Sequence, residues 1–110
     1  MPATAYSISD APFEKFVPDS EVYLGDVVDR SHGHSMSVGW ARYAAGASND
    51  WTLTYDEALV ITKGTFTVRT PEGDRTASEG EVIFIAEGTP VTYHADTDAE
   101  MVYVSHPHWR

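Results

Sequence analysis

The chain has 110 residues, no cysteine, and seventeen acidic against seven basic side chains, a formal charge of -10. That excess argues against a nucleic-acid partner or an anionic membrane surface, which both need a basic footprint. The missing cysteines remove disulfides, thiolate metal sites and a cysteine nucleophile.

No apolar run nears the roughly 20 residues that span a bilayer, and the N-terminus has neither the basic start nor the apolar core of a secretory signal. The composition therefore predicts one cytoplasmic domain that buries about two-thirds of its unfolded surface in a single core. Residues 1–20 carry Pro2, Pro12 and Pro18 around short apolar pieces such as Phe13 to Val17. They read as an irregular arm packed on the body, with residues 21–110 as the domain proper. Strand-like runs follow at 21–28, 36–44, 51–62, 65–70, 81–86, 90–95 and 100–106. Turn chemistry separates them, clearest at Pro71-Glu72-Gly73-Asp74, where Pro presets φ and Gly permits φ > 0. Short strands at this spacing, without a 3.6-residue period, predict an all-β sandwich or barrel.

Strand faces narrow the reading. Alternation over 65–70 puts Phe66 and Val68 on one face and Thr65, Thr67 and Arg69 on the other. Ala58-Leu59-Val60-Ile61 and Val82-Ile83-Phe84-Ile85 are apolar on both faces. A strand buried on both sides needs a second layer, another sheet or another subunit, so a homodimer is expected.

The spacing Glu57-x6-Gly64, then Gly80-x5-Ala86-x-Gly88, resembles the skeleton of the cupin superfamily. Its first motif is a Gly, a His-x-His pair, a Glu and a closing Gly; its second is Gly-x5-Pro-x-Gly-x2-His. Whole phrases resemble more narrowly the cupin half of the ethanolamine-utilisation protein Q family: Ser35 to Trp40, Trp51 to Glu57 and Val104 to Trp109. Members of that family are longer, with an N-terminal extension absent here. The resemblance implies a small cupin-type (RmlC-like) β-barrel or jelly roll with an N-terminal arm. It also implies an association with microcompartment ethanolamine metabolism and an acetate-kinase activity.

The departures decide the chemistry expected. The cupin histidine positions before the Glu fall on Trp51 and Leu53, or on Asp50 and Thr52; that of the second motif falls on Val91, and its proline is Ala86. A lone carboxylate holds a transition metal weakly, because such sites supply three or four ligands. No cofactor is therefore expected. The alternative is a single divalent transition metal held by a relocated set of His34, Glu57 and His106, if the Val102/Val104/His106 face turns inward.

Glu57 is the leading candidate. In the cupin orientation it points into the barrel, where burial raises a carboxyl pKa toward the range useful for acid–base work near neutrality. The plainer alternative is a carboxyl satisfied by a tyrosine hydroxyl or a backbone amide. Tyr55, two residues earlier, and Tyr93, two residues past Val91, share its inward parity and would orient a substrate beside it. Trp40 and Trp51 are the expected apolar walls, and Arg42 and His106 further substrate contacts. His32-Gly33-His34 mimics a ligand pair but sits in a Ser/Gly turn, and His94 has outward parity. The leading function is a metal-independent cupin binding a small polar metabolite and acting on it by acid–base chemistry. The alternatives are a metal-dependent oxygenase, isomerase or lyase, and a non-catalytic, partner-binding or shell-associated protein.

Overall fold

The structure is a computed structural model that describes residues 3–110; Pro2, counted above with the arm, lies outside the described residues. Ten strands follow in chain order: β1 (Glu14–Lys15), β2 (Val22–Val28), β3 (Ser37–Tyr43), β4 (Ser48–Thr52) and β5 (Asp56–Lys63), then β6 (Thr65–Thr70), β7 (Gly73–Ser78), β8 (Val82–Ile85), β9 (Pro90–Ala95) and β10 (Ala99–His106). They build two antiparallel sheets. One has the order β1-β2-β3-β10-β5-β8, the other β4-β9-β6-β7. Between them lies one apolar core, centred on Val22, Leu59, Ile61, Phe66, Val68 and Met101. This is the all-β class that the strand pattern predicts, in the jelly-roll form that the resemblance implies.

Two boundaries differ from the expectation. The run 51–62 is two strands, because Leu53-Thr54-Tyr55 turns the chain from the smaller sheet to the larger. That corner is pinned to the turn before β9: the Leu53 amide donates to the Thr89 carbonyl at 3.1 Å, and Gly88 to Leu53 at 2.7 Å. The hairpin at Pro71-Glu72 forms, but its second strand, β7, escapes an apolar pattern, since Gly-Asp-Arg-Thr-Ala-Ser buries only Ala77. Register with β6 holds it instead. Side-chain bonds help, Thr67 to Thr76 at 2.8 Å and Thr65 to Ser78 at 2.9 Å.

Strand faces follow period two. On β3 the inward residues are Ser37, Gly39, Ala41 and Tyr43; on β10 they are Met101, Tyr103 and Ser105; on β5 they are Glu57, Leu59 and Ile61. Gly39 is a packing necessity: a Cβ there would strike the Tyr103 hydroxyl and the Gly25 carbonyl. Asp26 follows Val22 and Leu24 on the inner face, opposite Gly39, and an extra residue after it, Val27, shifts the register with β3 so that Val28 pairs with Val38. Such bulges re-aim a side chain without breaking the sheet. The arm adds β1 to the edge of β2 and lays Ala11, Pro12 and Phe13 beside Gly25 on its outer side.

Candidate functional site

The inner faces of both sheets converge on one cavity of about 40 Å³. Glu57, the first inward residue of β5, is 6% exposed. Tyr93 reaches it from β9 in the opposite sheet and donates a hydrogen bond to Glu57 Oε1 at 2.6 Å. No hydrogen bond from the described residues reaches the second oxygen, Oε2. Burial pushes the Glu57 carboxyl up from its ordinary 4.5 to about 7, against the smaller opposing effect of the Tyr93 bond. The cause is desolvation, which penalises the charged form.

The other polar groups are largely committed. Tyr43 donates to Asn49 at 2.6 Å. Tyr103 donates to Asp26, which also accepts from Trp109 Nε1 at 2.8 Å and from Arg110 Nε at 3.1 Å. Tyr55 differs, because its hydroxyl oxygen accepts from Trp51 Nε1 at 2.8 Å and its hydrogen has no acceptor among the described residues. All four phenols are raised well above the usual range, first of all by burial. They stay protonated across the physiological range and serve as hydroxyl donors.

An aromatic cluster forms part of the cavity wall. Phe16 from the arm, Trp51 from β4 and Trp109 from the C-terminal segment meet edge to face, with centroids 5.5 to 6.0 Å apart, and Trp109 lies 6.3 Å from Tyr103. Trp109 is held there by Asp26 and by its amide, which donates to Ser37 Oγ at 3.4 Å.

The structure thus brings Glu57, Tyr55, Tyr93 and Trp51 together around one space. It does not bring the other expected residues there. Trp40 belongs to the opposite face of β3 and points away from the cavity, because its neighbour Gly39 takes the inward position, where the Tyr103 side chain fills the space. Arg42 shares that outer face, ion-paired with Glu100 at 3.0 Å and lying over the Phe13 ring. His106 is exposed at the end of β10, whose Met101/Tyr103/Ser105 face is the buried one. His34 is exposed beyond a short 3-10 turn. The relocated metal set is therefore not assembled: His34 and His106 lie outside while Glu57 lies inside. Leu53 and Val91, at inherited ligand positions, are buried apolar side chains. Among the described residues no group of three or more His, Cys, Asp or Glu could hold a metal. The residues present do not fit such an ion.

Sequence reasoning missed Tyr43, Asn49, Tyr103, Asp26, Phe16 and Trp109. One signal was available: Ser37, Gly39 and Ala41 alternate with Val38 and Trp40, and a run of small residues marks the face that larger neighbours fill.

With this geometry in hand, comparisons are informative. Residues 6–110 match the family described as ethanolamine utilisation protein EutQ. The chain is 33% identical over 86 residues to a Salmonella typhimurium LT2 protein named acetate kinase EutQ, covering 78% of this chain and 37% of that protein. It thus spans little more than a third of that relative's length. A crystal structure of an ethanolamine utilization protein Q from Salmonella typhimurium LT2 superposes with a TM-score of 0.81 at 31% identity, over 86% of this chain and 78% of that one. The cupin domain of Schizosaccharomyces pombe Cnp3 is only 12% identical yet has a TM-score of 0.76 over 94% of this chain and 73% of that one. At that identity the likeness concerns the fold alone.

Proposed function

The chain belongs to the ethanolamine utilisation protein EutQ family and has a cupin fold, and from that premise we propose that it binds a small polar molecule in the barrel cavity without a metal. The observation that carries this reading is Glu57: a buried carboxyl, fixed by Tyr93 through one oxygen, beside a small aromatic space. When ionised, Glu57 accepts a proton at Oε2 from an O–H, N–H or activated C–H of the bound molecule; when neutral it returns one. A carboxyl titrating near pH 7 is matched to both directions at neutrality. Tyr93 keeps the carboxyl in place, Tyr55 donates to the ligand, and Trp51 orients Tyr55. The test is a thermal-shift panel of small alcohols, amines, amides and acids with wild type, Glu57→Gln and Tyr93→Phe. A hit that protects wild type and loses at least tenfold in affinity in Glu57→Gln supports the reading. Equal protection of all three overturns the residue assignment.

We further propose that the chain pairs with a second copy of itself through the outer face of the larger sheet. Register aligns Trp40, Val102, Val60 and Val82 in one row across four strands, and Val38, Val104, Ala58 and Phe84 in the next. Val82 is 59% and Phe84 66% exposed. At the usual strand spacing the two rows cover roughly 250 Å², a fitting apolar centre for a standard interface of about 800 Å² per partner. Charges flank the rows with opposite sign: Lys63 at one end of β5, Asp56 at the other. A two-fold axis along the rows sets Lys63 of each copy over Asp56 of the other. The smaller sheet offers no such face, its outer rows being Asp50-Thr92-Arg69-Asp74 and Ser48-His94-Thr67-Thr76.

A further inference from the structure

Resting on the reading of the cavity as a binding site, we infer that its ligand is a small organic ammonium ion, held by the Glu57 carboxylate and by the aromatic faces around it. Three observations converge on that class.

The first is charge. Of the fourteen residues lining the cavity none is Lys, Arg or His, and Glu57 is the single ionisable carboxyl among them. Behind the lining, Asp26 supports Tyr103 and Trp109 and is matched by Arg110 outside. A carboxylate or phosphate ligand would meet a like charge with no counter-ion. A cation meets its opposite in a desolvated place, where the interaction is strongest.

The second is the hydrogen-bond inventory. The hydrogens of Tyr43, Tyr93 and Tyr103 are already donated, to Asn49, Glu57 and Asp26. Among the described residues what remains open is one carboxylate acceptor, Glu57 Oε2, with the Tyr55 hydrogen and the Asn49 Nδ2 amide as donors. The one open charged acceptor suits an ammonium group, which brings three donors.

The third is the wall. Eight of the fourteen lining residues are aromatic. Ring faces carry partial negative charge, and a carboxylate within aromatic walls is a recurrent arrangement for alkylammonium recognition. Volume bounds the ligand: about 40 Å³ corresponds to about three water-sized positions, so about three heavy atoms. At the ligand-efficiency ceiling such a ligand binds with a Kd on the order of 1 mM.

The groups that face Glu57 define its pH response. They are Tyr43 on β3, Tyr55 before β5, Tyr93 on β9 and Tyr103 on β10, with Asp26 of β2 behind Tyr103; β4 brings Asn49 and Trp51, β6 Phe66 and β8 Ile85. Glu57 is thus the group that titrates toward the ligand near neutrality, and binding requires its ionised form.

The experiment follows the indole N–H signals of Trp51 and Trp109 by NMR in the full chain, with the outward Trp40 as internal control. The probes are ethylammonium, 1-propanol and acetate, three molecules of similar size and different charge. Ethylammonium is expected to move both cavity indoles and leave Trp40 in place, binding at least tenfold tighter than 1-propanol, with acetate inert. Its affinity should rise about tenfold from pH 6 to pH 8, as a Glu57 pKa of about 7 requires, and fall at least tenfold in Glu57→Gln. If 1-propanol binds as tightly as ethylammonium, the ammonium inference is overturned while the cavity-binding reading stands. If none of the three moves Trp51 or Trp109 at about 50 mM, roughly fifty times the Kd at the efficiency ceiling, both are overturned. The comparison of probes uses wild type alone, so it decides the matter even if Glu57→Gln fails to fold.

Discussion

A carboxyl sealed among phenols and indoles changes the pH dependence of folding. Between its ordinary pKa of 4.5 and its folded value of about 7, Glu57 keeps a proton that the unfolded chain has released. Stability from this group is complete below about pH 4.5 and is lost as pH rises through 7, about 3 kcal/mol in all. Glu57→Gln cannot ionise. Its stability relative to wild type should therefore rise by up to about 3 kcal/mol between pH 5 and pH 8 in urea titrations, whereas a gap that stays flat with pH would refute the displaced carboxyl. Gly39 sets a second constraint at this scale. The Tyr103 hydroxyl occupies the place of a Cβ, so Gly39→Ala should cost about 1–3 kcal/mol by overpacking. An unchanged urea midpoint would mean that Tyr103 has another home. Glu57, Tyr55, Tyr93 and Trp51 were legible as residues of the barrel interior because motif spacing and parity place them there. Trp40 and Arg42 were misassigned because a large aromatic looks more like a core residue than glycine does, and size alone does not say which side of a strand is full.

Pairing rather than apolar pattern decides the elements at the edges. β7 has no hydrophobic stripe and is anchored through Thr67, whose hydroxyl meets Thr76 at 2.8 Å and donates to Asp96 at 2.6 Å. Thr67→Val removes both bonds while keeping the shape. The expected result is faster amide exchange at residues 73–78, with a global loss of about 1 kcal/mol; protection of β7 equal to wild type would count against this anchoring. A strand of Gly, Asp, Arg, Thr, Ala and Ser is invisible to period-two reasoning, which finds only what it buries. The split of 51–62 was hidden for a related reason. Leu53 and Tyr55 continue the alternation through the corner and are buried there, while the change of sheet depends on backbone bonds to residues 88 and 89, remote in sequence.

Across the whole molecule the two outer faces differ, one a set of polar rows and the other a band of valines with Trp40 and Phe84. Light scattering of the intact chain at micromolar concentration should give twice the 12.1 kDa chain mass. Phe84→Lys, on an exposed position that folding does not need, should give the single mass; a wild-type monomer would end the proposal. The same scale bears on the kinase activity named for a Salmonella typhimurium relative about twice as long, 86 residues being 37% of it. The cavity holds about 40 Å³ and no cationic side chain, too little for a nucleoside triphosphate and without a partner for acetate. The barrel cavity is therefore expected to take no part in releasing ADP from ATP, and acetate-dependent ADP formation abolished by Glu57→Gln would contradict that reading of the cavity. No helix among the described residues is long and apolar enough to cross a membrane.

By itself the sequence determined the all-β class and most of the strands and turns, the inward parity of Glu57, Tyr55 and Tyr93, and the loss of imidazoles from the inherited ligand positions. These depend on neighbours within a few residues, where period two and turn chemistry act. Only the tertiary structure decided which face of β3 and β10 is inside, that Phe16 and Trp109, the latter held by Asp26, line the cavity, and how small the remaining space is. Those facts arise from side chains tens of residues apart competing for one volume, and close packing between two sheets settles that competition.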